Sequence, residues 1–142
     1  MEQRDYLIDQ LNQLLRVLSN TLQDFIGLKN QGKVNEGIGV VSNVLQNELG
    51  FDIDGLMAIP PNELIKTLQE KKRLNHESFE VLASIMLAIA DELSAVNLKN
   101  EQARSLYSKS LSIYEYLNKA SSTYSLDRQL KIEKIKSHLN IA

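Results

Sequence analysis

The chain has 142 residues, no cysteine, and 16 basic against 18 acidic side chains, for a formal net charge of −2. The missing cysteine excludes a disulfide framework, a thiol nucleophile and a thiolate metal site. The near-neutral charge argues against nucleic acid or an anionic membrane as the main target, because both are gripped by clustered Lys and Arg. Apolar residues make up 43% and charged residues 24%, as in an ordinary globular domain. A chain of this length can bury about 70% of its unfolded surface in one core. The start, Met1-Glu2-Gln3-Arg4-Asp5, is charged and does not resemble a signal peptide. The longest near-apolar run, Val81 to Ala90 with Ser84 inside it, is half of the roughly 20 residues a membrane span requires. No membrane association and a cytoplasmic location are therefore expected. Both prolines and three of the six glycines fall between long periodic stretches, which points to an all-α fold of about six helices in a single domain.

Leu7, Leu11, Leu14, Leu18, Leu22 and Phe25 are spaced 4, 3, 4, 4 and 3 apart and predict a helix over residues 2–29. The extra four-residue step moves the pattern away from a strict heptad, so the helix should stay nearly straight. Ile8, Leu15 and Ile26 widen its apolar face, so it should pack against more than one neighbour. Gly32 supplies the stop. Val34, Ile38, Val41, Leu45 and Leu49 predict a second helix over 34–49, completing a hairpin over 2–49. Gly37 and Gly39 each cost about 1 kcal/mol relative to Ala in a helix, and close approach to the first helix is the expected compensation.

Residues 50–74 read as a turn plus a short helix. Asp52 and Asp54 lack the third acidic ligand and the distal Glu of a calcium loop, so Asp54 is expected to cap a short segment over 56–59. Pro60-Pro61 opens a third helix with Leu64, Ile65 and Leu68 as its core contacts. Lys71-Lys72-Arg73 closes it and complements the negative end of its dipole. A basic triplet without interleaved aromatics is a thin nucleic-acid signal.

Asn75 predicts the N-cap of a fourth helix. In it Phe79, Leu82, Met86, Ile89, Leu93 and Val96 step 3, 4, 3, 4 and 3. Val81, Ile85 and Ala88 add a second apolar face, so this helix should lie buried at the centre of the fold. The fifth, over 100–118, turns Ala103, Leu106, Tyr107, Leu111, Ile113, Tyr114 and Leu117 inward and forms with the fourth a second hairpin over 75–119. A Ser-rich break over 120–123 precedes a sixth helix within 123–140. That helix carries Ile132, Ile135 and Leu139 on one face, flanked by Lys131, Lys134, Lys136 and His138. The stems of these cations can cover the apolar edge.

Two stretches 66 residues apart share their lettering: Gly32-Lys33-Val34-Asn35-Glu36-Gly37 with Val41 and Val44, and Leu98-Lys99-Asn100-Glu101-Gln102-Ala103 with Tyr107 and Ser110. A polar turn, a small residue early in the new helix and a bulky apolar residue four later resemble tetratricopeptide-type (TPR-like) hairpins, with Ala103 and Tyr107 the better match. The aromatic and Leu-Gly signature of the first helix of each pair is missing. With its opening Asp5-Tyr6-Leu7 helix, the order of parts is similar to a family of small uncharacterised bacterial TPR-like proteins. The resemblance implies antiparallel hairpins in right-handed superhelical or bundle packing, and no activity. The positions matching a carboxylate clamp would be Leu22, Ile26, Ala88 and Glu92; none is cationic, so a clamp is not expected. Helical arrays need about three repeats. Either the third and sixth helices cap this one, or a second subunit completes it as a homodimer, with the long first helix as the expected contact.

No catalytic, cofactor-binding or metal-binding residue is expected. His76 has only Glu80 at helical spacing, short of the three ligands of catalytic zinc. No serine lies in a nucleophile elbow, and Gly37-Ile38-Gly39 lacks the rest of a dinucleotide fingerprint. Asp91 and Glu92 are adjacent and point about 100° apart on a helix. Tyr107 and Tyr114 share the core face, whereas Tyr116 points away from it and is, with Glu92, a candidate partner-contact residue. The resulting expectation is a non-enzymatic helical-repeat protein that contacts an unidentified protein partner or itself. The first alternative is a small apolar ligand held between the fourth and fifth helices. The second is an RNA contact through 71–73 and the basic last helix.

Overall fold

The computed structural model describes residues 2–140, and among these every regular element is helical. The elements are α1 (Glu2–Asn30), α2 (Val34–Leu49), α3 (Ile53–Ala58), α4 (Leu64–Glu70), α5 (His76–Val96), α6 (Glu101–Ala120) and α7 (Leu126–Leu139). A 3₁₀ turn, Pro61–Glu63, leads into α4. Helices α1, α2, α5 and α6 begin and end within two residues of where the periodicity placed them. The seventh helix is the short segment expected over 56–59, which starts one turn earlier as α3.

Local chemistry explains most of the ends. Gly32 and Gly50 sit at φ +77° and +83°, in the left-handed region where glycine carries no Cβ penalty. The Asn75, Asn100 and Ser125 side chains accept hydrogen bonds from the N–H groups of Ser78, Ala103 and Arg128 at 2.8, 2.9 and 3.2 Å. They satisfy donors that a helix start leaves free. At α3 the cap is Asp52 and not Asp54: Asp52 Oδ1 accepts from the Gly55 N–H at 2.8 Å, and Asp54 lies inside the first turn. Ile53 decides the difference. Its side chain is buried and its N–H donates to Ser42 Oγ at 3.1 Å, which pulls the helix start towards α2. The basic triplet also serves a different helix from the one expected. α4 ends at Glu70, and Lys72 turns the chain at φ +56°. Arg73 donates to the Glu48 carbonyl and carboxylate, both at 2.8 Å, closing the C-terminus of α2. Lys71 Nζ stands 5.3 Å from the centre of the Phe51 ring.

α2 folds back along α1 after a three-residue turn. Gly37 lies against Phe25: a Cβ there would come within 2.9 Å of Phe25 Cδ1 and 3.5 Å of Leu28 Cβ. Close approach therefore explains Gly37. It does not explain Gly39, whose Cβ would meet nothing within 4 Å. α5 is the centre of the fold, with Phe79, Leu82, Ala83, Ile85, Met86, Leu87, Ile89 and Ala90 all buried. Val96 belongs to its sequence stripe but is 90% exposed, because the last turn of α5 outruns its neighbours.

Side-chain pairs give the helix directions. Lys29 pairs with Glu92 at 3.7 Å, while Leu15 and Ser19 share a cavity wall with Glu80 and Val81, so α1 and α5 run the same way. Arg128 meets Glu80, Lys131 meets Ser84 and Lys134 meets Asp91, so α7 runs with them. Ser84 meets Tyr114 and Asp91 meets Tyr107, so α6 runs antiparallel to α5. Three helices thus share one direction, with α2 and α6 folded back between them in sequence. No helix among the described residues is long and apolar enough to cross a membrane.

Candidate functional site

The densest polar chemistry lies along the seam where α7 meets α5 and α6. At its start, Arg128 forks onto Glu80, with NH2 at 2.8 Å from Oε1 and Nε at 3.2 Å from both oxygens, and reaches Asn118 with NH1 at 3.1 Å. Hydrogen bonding to the Glu80 carboxylate raises the Arg128 pKa. One turn along, the Ser84 and Tyr114 hydroxyls lie 3.1 Å apart and Lys131 Nζ donates to Ser84 at 3.3 Å. At the far end Asp91 accepts from the Tyr107 hydroxyl at 2.7 Å and from Lys134 Nζ at 2.8 Å. His138 stacks on Tyr107 with ring centres 4.6 Å apart and lies 4.0 Å from Asp91.

This seam is a polar cluster that the sequence reading missed. Its members come from three helices, separated by 16 positions for Tyr107–Asp91 and by 43 for Lys134–Asp91. No single-helix spacing could display them. The adjacent pair Asp91 and Glu92 does diverge as its spacing requires, one to α7 and the other to Lys29 of α1.

The chemistry of the seam is that of a fastening. Burial, and then the neighbouring Asp91 carboxylate, push the Tyr107 hydroxyl above its ordinary range. Burial pushes Tyr114 up to about 12. Both stay neutral near pH 7, the opposite of what a nucleophile or base requires. Among the described residues no group of three His, Asp or Glu could hold a metal ion. Glu80, the sole helical-spacing partner of His76, is taken by Arg128. Buried Lys109 donates to Ser105 Oγ at 3.3 Å, its one hydrogen-bond partner among the described residues, and burial lowers its pKa.

Tyr116 and Glu92 occupy separate places. Tyr116 is half-buried: its ring packs on Phe79 at 5.2 Å and edge-on to His76 at 6.1 Å, and its hydroxyl accepts from Gln69 at 3.2 Å. It overlooks an open hollow of about 560 Å³ with Leu74 and Glu77 on the rim. Glu92 lies four turns further along α5, half-buried beside Lys29. The fold does not bring the two together. The basic residues are also dispersed: Arg73 is held by Glu48, while Arg128 and Lys134 are held by acids of α5.

Two further features lie outside the seam. The first is the start of α1. On a helix at 100° per residue, Leu7 and Leu11 fall on the same face as Leu14, Leu18 and Phe25, and Ile8 falls on its flank with Leu15 and Ile26. Leu14, Leu18 and Phe25 are fully buried, whereas Leu7 is 50% and Ile8 43% exposed. Neighbouring Tyr6 is exposed as well, and so are Tyr124, Leu126 and Leu130 around the start of α7, at the same end of the molecule. The second feature is a half-enclosed cleft of about 320 Å³ walled by α2, α3, α5 and α6. Ile38, Ile53, Met57, Ile89, Leu93 and Leu106 form its apolar surface; Asn35, Ser42, Asp54 and Gln102 are polar, and Gly39 lies on its wall.

No protein-family model matches the chain, and neither the curated proteins nor the solved structures contain a significant match to it.

Proposed function

We propose that this chain is a non-enzymatic, TPR-like protein-contact module that associates with a second copy of itself through the first turns of α1. The observation that carries this reading is a stripe that continues beyond its cover. The face of α1 that is buried from Leu14 onward runs back through half-buried Leu11 to Leu7, which is exposed among the described residues together with Ile8 on its flank. α2, with 16 residues beginning opposite Phe25 and Leu28, reaches back about as far as Leu14. α5 begins beside Leu15 and Ser19. Residues 2–10 therefore extend past both, by roughly 14 Å at 1.5 Å per residue. Leu7 and Ile8, exposed about 100° apart on a rigid helix, form an apolar edge of the kind that interfaces use as an anchor. A second α1 presents the same surface, and a two-fold pairing covers both at once. The shared direction of α1, α5 and α7, with α2 and α6 returning, supports the stacked-hairpin part of the reading.

The test is light scattering on the wild type and on the double variant Leu7→Glu, Ile8→Glu. The wild type should have the mass of a dimer at about 50 µM. The variant, altered where the side chains face water, should keep its helical circular dichroism and become monomeric. A monomeric wild type at that concentration, or an unchanged dimer in the variant, refutes the reading.

A further inference from the structure

The cleft between α2, α3, α5 and α6 lies away from the α1 overhang and carries its own set of observations. Gly39 stands in the interior of a helix, where glycine costs about 1 kcal/mol relative to alanine. The other interior glycine of α2, Gly37, makes room for Phe25. Gly39 makes room for nothing within the chain: a Cβ there would have no heavy atom within 4 Å. The space it leaves open belongs to this cleft. The volume, about 320 Å³, is at the small end of ligand sites. At ~30 Å³ for each water-sized atom it holds about ten non-hydrogen atoms.

The lining also selects a chemistry. Its apolar lining comes from Ile38, Ile53, Met57, Ile89, Leu93 and Leu106. Asp54 is the single charged residue on the lining, it is exposed, and it makes no ion pair among the described residues. No cation faces the cleft. An anion would meet Asp54 as a like charge, and a purely apolar molecule would leave the polar rim unused. We propose that this cleft binds a small primary amine with a short apolar tail, the tail on the aliphatic floor and the ammonium at Asp54.

The probe is n-hexylamine, with hexanoate of the same length as its opposite-charge control, followed by ¹H–¹⁵N correlation spectra of the full chain. Hexylamine should give saturable shifts centred on Gly39 and Asp54, with a dissociation constant on the order of 1 mM, as suits so few atoms. Hexanoate should bind at least about fivefold more weakly, the scale of one exposed charge pair. Asp54→Asn should remove that preference and leave tail binding in place. Gly39→Leu puts an isobutyl group on the open wall and should abolish the shifts. Absence of saturation by hexylamine at 20-fold excess over that constant (roughly 20 mM), equal affinity for the two probes, or shifts centred elsewhere overturns the proposal. Equal or tighter binding of N-acetyl-lysine-methylamide also overturns it, because it would make the cleft a socket for a partner's lysine. Dimerisation through α1 is read by mass and these shifts by position, so the two ideas fail separately.

Discussion

Gly37 and Gly39 are two residues apart on one helix, and alanine should have opposite effects at them. At either position alanine gains about 0.5–1 kcal/mol by restricting the unfolded chain and improving helix propensity. At Gly39 nothing opposes the gain, since the new Cβ meets no heavy atom within 4 Å. Gly39→Ala should therefore stabilise by that amount. At Gly37 the new Cβ would lie 2.9 Å from Cδ1 and 3.3 Å from Cε1 of Phe25, and this ring is fully buried with nowhere to retreat. Overpacking of this kind costs about 1–3 kcal/mol. After the propensity gain is subtracted, Gly37→Ala should destabilise by about 1 kcal/mol. The gap of nearly 2 kcal/mol between the variants corresponds to roughly 6 °C in melting temperature for a chain of this size. Urea denaturation with shared slopes measures it directly. If the two alanines move the midpoint in the same direction, the assigned contact between α2 and Phe25 is wrong.

Two other expectations rest on the seam. The Tyr114 pKa is raised from 10.0 to about 12, chiefly by burial. A raised folded-state value means the native state holds its proton more tightly, so this stability is complete below pH 10 and disappears as pH rises towards 12. The loss should be about 2–3 kcal/mol, and Tyr114→Phe should remove that share of it, with raised Tyr107 still contributing its own over the same rise in pH; a loss unchanged by the substitution would contradict the burial of the hydroxyl. Arg128→Ala removes the fork onto Glu80 and the bond to Asn118. A loss of about 2 kcal/mol in the docking of α7 should appear as roughly 30-fold faster amide exchange within Leu126–Leu139, with α1 and α2 unchanged. Unchanged exchange in α7 would show that the apolar trio Ile132, Ile135 and Leu139 holds it alone.

What could be read from the sequence divides by range. The stripes of α1, α5 and α6 are visible because a helix brings positions three and four apart together, and the core follows from them. Tyr107 and Tyr114 are inside, as their shared face with Leu111 and Leu117 implied. Val96 fits its stripe and yet is in water, because periodicity identifies a face and cannot say where the neighbouring helix stops. Asp52 and Asp54 are equally good caps in isolation; the choice is made by Ile53 and Ser42, 11 positions apart. Arg73 capping α2, and Asp91 gathering Tyr107, Lys134 and His138, depend on contacts across whole elements. The cleft was expected only as a space between the fourth and fifth helices. Its outer walls, α2 and α3, and the role of Gly39 in keeping it open come from the packing.

Between Glu2 and Ile26, α1 contains no glycine and no proline. The free end and the Phe25 contact are therefore parts of one stiff beam, with no hinge between them to absorb a twist. Two bodies joined at such ends would hold a set angle to each other, and a bending load at the tip would be felt in the interior, at the notch where α2 crosses.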